Sequence, residues 1–183
     1  DRAARLRREA PDAEVRWHLI GHLQRNKVRS VLTVASLIHS VDSLRLLERI
    51  DQVAGELTIR PRVLLELNIS GEASKDGLNA EELRHAWQSV IACRQLEIAG
   101  LMTMAPESSD QGTSRPVFEA LSQLRDELVA VGGAGPLTEL SMGMSGDFEA
   151  AIQAGATLIR IGSRLFEGLD GDSTARHEPV IEY

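Results

Sequence analysis

An arginine sits inside the apolar run T-L-I-R-I-G, residues 157–162, and a glycine and a serine follow it almost at once. By the two-residue period of a strand, Arg160 shares a face with Leu158 and Gly162, opposite Ile159 and Ile161. A guanidinium on a buried strand is costly unless it meets an acceptor. Two acceptors are open from spacing alone. One is Glu66, which the same parity places with Asn68 on one face of its own strand, giving an internal salt bridge. The other is a bound anion. Gly162 lets an anion come close to the backbone, and Ser163 can add a hydroxyl at a helix start. A matching turn precedes it in L-S-M-G-M-S-G-D, residues 140–147. There Ser145 reads as a helix N-cap with Asp147 in the first turn. Capping alone is the ordinary use of such a serine. Two such turns after consecutive terminal strands point together to a phosphate.

The elements that must carry these turns alternate between extended and helical patterns. Strands are expected at 15–20, 37–41, 62–70, 96–104, 137–142 and 157–161. Helical stretches are expected between them, at 27–35 and at 147–154, and in three apolar stripes. The first stripe is Leu44, Leu47, Ile50, Val53 and Leu57. The second is Leu83, Ala86, Trp87, Val90 and Ile91, and the third is Val117, Leu121, Leu124, Leu128 and Val131. Alternation at this pitch predicts an α/β fold with a mostly parallel sheet. An open doubly wound sheet would mark its ligand with a glycine-rich loop after the first strand. Here that position holds Gly21-His22-Leu23-Gln24 instead. Barrels place phosphate after their last two strands, so a (β/α)8 TIM barrel is expected. Six strands are countable where such a barrel needs about eight. The expectation is a barrel over residues 1–168 lacking its first two βα units, with a tail at 169–183.

Composition narrows the function classes. A net charge of −7 argues against a broad nucleic-acid surface, and 3% aromatic residues argue against base stacking. No apolar run approaches the ~20 residues that span a bilayer, so no membrane partner is expected. A single cysteine, Cys93, allows no internal disulfide, and a cytoplasmic protein is expected. Of the histidines, only His18 and His22 are close in sequence; they straddle a strand end, so no metal site is expected. Lys75, in the loop after the third strand, is a weak candidate for ligand contact. No large apolar stripe is left over once the core is assigned, so a monomer is expected.

Five motifs carry a family resemblance. They are W-H-L-I-G-H-L-Q-R-N-K at 17–27, N-I-S-G-E-A-S-K-D-G-L at 68–78, G-L-M-T-M at 100–104, L-S-M-G-M-S-G-D-F-E-A-A-I at 140–152 and R-I-G-S-R-L-F-E-G at 160–168. In this order they resemble the pyridoxal phosphate homeostasis proteins, single-domain barrels similar to the N-terminal domain of alanine racemase. The resemblance implies that Arg160 faces the pyridine nitrogen of pyridoxal 5'-phosphate and keeps it unprotonated, making the ring a poor electron sink. It implies that Ser141, Gly143, Ser145, Gly162 and Ser163 hold the phosphate. Met102 would line the ring, with His18 and Asn26 near the mouth. The family's Schiff-base lysine lies on the first barrel strand. This chain's only lysines are Lys27 and Lys75, neither at that position, so the anchor is expected upstream. The implied role is a cofactor carrier or buffer that supplies pyridoxal-phosphate-dependent apo-enzymes. An amino-acid racemase is the alternative. It needs a second base, which the related enzymes take as a tyrosine from a separate β-domain; the only tyrosine here is Tyr183. A remnant unable to bind the cofactor covalently is the third reading.

Overall fold

The computed structural model describes residues 15–72, 75–106 and 111–167. The start of the chain at 1–14, the tail at 169–183, Ser74 and Tyr183 lie outside them. Six strands alternate with helices: β1 (Trp17–Leu19), β2 (Ala35–Val41), β3 (Arg62–Leu67), β4 (Glu97–Thr103), β5 (Glu139–Met144) and β6 (Leu158–Arg160). Between them run α1 (Val28–Leu32), α2 (Leu44–Leu57), α3 (Ala80–Ala92), α4 (Gln111–Val131) and α5 (Phe148–Gln153). Every neighbouring pair of strands is parallel, and the sheet order copies the chain order from β1 to β6. A doubly wound sheet reverses its order at a switch point; this one does not. With right-handed crossovers throughout, sequential order puts every helix on the same face.

That face carries the main core. Ile38, Val41, Val63, Leu65, Leu67, Leu101, Leu140 and Met142 from the strands pack against Leu47, Ile50, Leu83, Trp87, Phe118 and Leu121 from the helices. The helical residues recur every three or four positions, so burying one stripe per helix suffices. Trp87 completes its burial by donating Nε1–H to the carbonyl of Gly132, 2.9 Å away. The opposite, concave face holds a smaller apolar group, Leu37, Leu64, Ala99, Met102 and Leu158, interspersed with the buried polar residues His39, Glu66 and Ser141. Sheet curvature brings the ends of the strand order together, since residues of β1 and β6 line one cavity. No helix among the described residues is long and apolar enough to cross a membrane.

Several boundaries differ from expectation for local reasons. The helix expected at 27–35 is a 3-10 turn (Arg25–Lys27) and the short α1, with Ala35 already in β2. The hydroxyls of Ser30 and Thr33 bond back to the carbonyls of Lys27 and Ser30, each at 2.8 Å, which tightens and ends the turn. β3 stops at Leu67 because the Asn68 side chain folds the following loop onto itself. Its amide donates to the carbonyls of Glu72 (2.8 Å) and Lys75 (3.1 Å), and its oxygen accepts from the Gly71 N–H. β5 begins at Glu139 rather than 137, since Leu137 has a φ of 43° that no strand accepts. β4 and β5 approach so closely that a Cβ on Gly100 would sit 1.8 Å from the Glu139 carbonyl oxygen. Only glycine fits there. At the same end, Arg62 of β3 donates to Glu97 of β4 and Glu139 of β5, both at 3.1 Å, tying three strands together.

Candidate functional site

A cavity of about 370 Å³ opens on the concave face between the two ends of the sheet. His18 and Ile20 from β1 and its following loop, His39 from β2, and Leu158, Arg160 and Gly162 from β6 and its following loop line it. Arg160 is placed there by strand parity, on the same inner face as Leu158. Its guanidinium reaches across β5, donating to Ser141 Oγ at 2.7 Å and to the Thr103 carbonyl of β4 at 3.0 Å. Both acceptors are neutral. The internal salt bridge to Glu66 is therefore not how this arginine is satisfied. Burial lowers the guanidinium below the usual arginine range, while Asp147 and Glu66 pull it back up. It stays a cation at any ordinary pH.

The two imidazoles beside it are neutral. Burial pushes His39 down to about 4, with His18 and Arg160 adding to the effect. Burial also lowers His18, though Glu139 opposes it. Their rings meet at a hydrogen bond between His18 Nδ1 and His39 Nε2 of 3.0 Å, and His39 Nδ1 lies 2.8 Å from Ser141 Oγ. Glu66, on the inner face of β3, is 5% exposed. Burial pushes its carboxyl up to about 7, and the charges of Asp42 and Asp76 add to this. The lining of the cavity thus presents one permanent cation beside two neutral imidazoles and apolar side chains, which suits an anionic, partly apolar ligand.

The structure gathers some of the residues singled out in the sequence and separates others. Arg160, Gly162 and His18 meet in the cavity. Met102 is fully buried on the concave face, paired with Glu66 on one side and Ser141 on the other. Ser145 lies beside Gly162, whose N–H donates to its hydroxyl oxygen at 3.3 Å. It is not the helix N-cap, however. That position is Asp147, whose carboxylate accepts from the Met144 N–H at 2.6 Å and so closes the turn instead of capping α5. Arg164 braces the same turn by donating to the Ser145 carbonyl and lying 5.4 Å over the Phe148 ring. A Cβ on Gly162 would have nothing within 4 Å, which leaves its backbone open to a ligand.

Three of the expected residues have other contacts in the structure. Ser141 is fully buried, with its hydroxyl taken up by His39 and Arg160, so it supports the arginine and does not belong to the turns at 145 and 162. Gly143, at a φ of 89°, is needed for packing: a Cβ there would come within 2.5 Å of the Ala151 Cβ. Asn26 lies in the 3-10 turn after β1 and faces a surface groove with Arg45, Arg49 and Gln52 of α2, away from the cavity. Ser163 opens a 3-10 turn (Ser163–Leu165), and its side chain lies outside what is described. Sequence reasoning missed His39. The available signal was a lone polar ring in the strand run S-L-I-H-S-V, on the same parity as Leu37. His22, the other half of the histidine pair, points elsewhere, to Asp42 at 3.0 Å and Asp76 at 3.8 Å.

Comparison with known proteins places this geometry. The family model of the alanine racemase N-terminal domain matches residues 1–170. The pyridoxal phosphate homeostasis protein of Aquifex aeolicus is 41% identical over 155 residues, covering 85% of this chain and 68% of that protein. The human protein of the same name is 39% identical over 162 residues, covering 84% of this chain and 58% of its own length. Among solved structures, PipY of Synechococcus elongatus with pyridoxal phosphate bound superposes with a TM-score of 0.81 at 36% identity, over 90% of this chain and 76% of that one. Alanine racemase of Clostridium difficile shares the fold at a TM-score of 0.66 and 15% identity, over 96% of this chain and 42% of that one. The chain belongs to the alanine racemase N-terminal domain family, and within it to the pyridoxal phosphate homeostasis proteins.

Proposed function

We propose that the cavity between β1 and β6 binds pyridoxal 5'-phosphate, and that the protein carries or buffers this cofactor in the cytoplasm without turning over a substrate. The observation that carries the reading is Arg160: a three-strand-spanning guanidinium with only neutral acceptors, lining a cavity beside the open backbone of Gly162. The residues fit the group. A donor-only cation suits a pyridine nitrogen as acceptor, and at the turn the Ser145 hydroxyl, which accepts from the Gly162 N–H, keeps its own proton to donate to a phosphate. The name and bound ligand of its relatives support the same reading.

When bound, the cofactor supplies an aldehyde and an electron-withdrawing pyridine ring. Arg160 has no proton to give at neutral pH, so a nitrogen facing it stays unprotonated and the ring withdraws electrons weakly. The neutral His18 and His39 add no further charge to the cavity wall. Leu158, Ile20 and Ile161 supply apolar surface for the ring. Weak electron withdrawal favours carriage over racemisation, and apo-enzymes that need the cofactor are the natural recipients. Lys75 is drawn to Glu72 at 3.6 Å and lies 3.4 Å from the Met104 carbonyl, outside the cavity lining, and Lys27 is exposed in its 3-10 turn. Neither lysine lines the cavity, so neither is placed to form a Schiff base with a ligand there. The sequential strand order and the cavity shared by its two ends fit a (β/α)8 barrel in which two further strands would stand between β6 and β1.

Titrating the purified chain with the cofactor, followed by absorbance and equilibrium dialysis, tests the reading. Saturable binding is expected, weaker by roughly tenfold or more for pyridoxal without its phosphate and for the Arg160→Met chain. Borohydride reduction should leave no stoichiometric adduct on Lys27 or Lys75. Absence of saturable binding, or equal affinity in the Arg160→Met chain, would overturn it.

A further inference from the structure

Four side chains from four strands form one unbroken line across the concave face. Arg160 Nη1 lies 2.7 Å from Ser141 Oγ, His39 Nδ1 lies 2.8 Å from the same oxygen, and His39 Nε2 lies 3.0 Å from His18 Nδ1. Ser141 is fully buried and His39 nearly so. Counting protons along this line fixes its direction. A guanidinium can only donate, so Ser141 Oγ accepts from Arg160. The Ser141 hydroxyl then has one proton to place, and His39 Nδ1 is the acceptor within reach of it. With Nδ1 accepting, a neutral His39 carries its proton on Nε2 and donates to His18 Nδ1. His18 in turn keeps its own proton on Nε2.

The reverse order would have His39 Nδ1–H and Arg160 both donating to Ser141, leaving the hydroxyl proton of a fully buried serine without an acceptor among these groups. A doubly protonated His39 would do the same. The low basicity of His39, which burial and Arg160 both produce, is what this order requires.

We propose that His39 is a positioning residue for Arg160: by accepting the Ser141 proton it turns the serine's lone pair to the guanidinium and holds the arginine at the cavity. The line donates one way only, Arg160 to Ser141 to His39 to His18. No single strand could do this, because the residues come from β6, β5, β2 and β1, and β5 and β2 do not pair with each other. The direction of the line stands on its own. Its consequence for the ligand, that His39 governs how strongly the cavity selects a ring nitrogen acceptor, rests on the function proposed above.

Long-range proton–nitrogen correlation spectra of the histidine-labelled full chain, without ligand, test the direction. His39 should show an unprotonated, hydrogen-bonded Nδ1 and a protonated Nε2, and His18 should be the Nε2–H tautomer. A protonated Nδ1 on His39 would overturn the proposal. The positioning role is read from a pair of variants. In His39→Asn the amide oxygen can take the place of Nδ1 as acceptor, while His39→Leu offers none. Slow exchange of the Arg160 Nη protons should survive in His39→Asn and be lost in His39→Leu. If His39→Leu does not fold, fast Arg160 exchange in a folded His39→Asn chain overturns the role and slow exchange upholds it.

The ligand arm compares pyridoxal phosphate with the analogue in which CH replaces the ring nitrogen. Wild type and His39→Asn should prefer the natural cofactor by about tenfold or more, the scale of one charge-assisted hydrogen bond. His39→Leu should lose that preference while retaining phosphate-dependent binding. Preference intact in His39→Leu would refute the positioning role. No cofactor binding by the wild-type chain would refute the proposed function instead, with the tautomers and arginine exchange still deciding the fate of the line.

Discussion

Replacing Glu66 by glutamine should change how folding stability depends on pH. In the fold Glu66 holds its proton up to about pH 7, whereas its ordinary value is 4.5. Between these values the native state binds a proton that the unfolded chain has released, so stability falls as pH rises. His39 works in the opposite sense. It is neutral in the fold down to about 4 against an ordinary value of 6.5, so over that window the unfolded chain binds the extra proton and stability rises with pH. Each displacement is worth about 3 kcal/mol when fully developed, at about 1.4 kcal/mol per pKa unit. From roughly pH 5 to 6.5 the two slopes nearly cancel in the wild-type chain. Glu66→Gln removes one of them and leaves stability rising with pH across that range.

The advantage of the variant over wild type should grow by roughly 2–3 kcal/mol between about pH 5 and pH 8. Any pH-independent cost of burying the amide drops out of that difference. Urea denaturation followed by circular dichroism at three pH values measures it directly. Parallel profiles for the two chains would mean that Glu66 is already ionised in the fold at pH 5, and the argument from its burial would fail.

Two further substitutions probe the scaffold and the lone thiol. Gly100→Ala should cost more than about 4 kcal/mol, because the added carbon would overlap the Glu139 carbonyl; a midpoint within about 1 kcal/mol of wild type would show that β4 and β5 can part without penalty. Burial pushes the Cys93 thiol up to about 11, with Asp51 and Glu48 adding to it. Alkylation of Cys93 at about pH 8 should accordingly run about 100-fold slower than that of a free cysteine, measured by mass spectrometry in the native chain; equal rates would place the thiol in contact with water.

Within a strand, side-chain parity was legible. The parity that set Glu66 on one face of its strand agrees with the structure, where Val63, Leu65 and Leu67 pack on the other face in the main core, and Arg160 shares its inner face with Leu158 as its parity implied. The α/β class with a parallel sheet followed from the alternation of periods, because each period reflects local backbone geometry that a single segment determines. What the sequence hid was which inward residues meet. His39 and Ser141 are 102 residues apart, and nothing in either strand announces the other. Ser145 looked like a cap because its neighbours are of capping type, yet the Asp147 carboxylate turned back to Met144 and took the N-cap position. Asn26 was carried to the mouth by its motif, while the 3-10 turn that holds it rotates it onto α2. Turns two or three residues long are decided by competition among nearby hydrogen bonds of similar strength, which a pattern cannot rank.

The order of strands has a consequence for when the site can exist. Each strand pairs with the one made just before it, so the sheet can assemble one unit at a time as the chain emerges, with few distant closures. The cavity is different, because its walls come from β1 and β6, the two ends of the described sheet. It is completed only when β6 docks, and a ligand there joins the two ends of the assembly. Occupancy would then act as a clasp, stabilising the finished sheet over every partly built form that lacks β6. A ligand would in this way meet its site only after all six of these strands are in place.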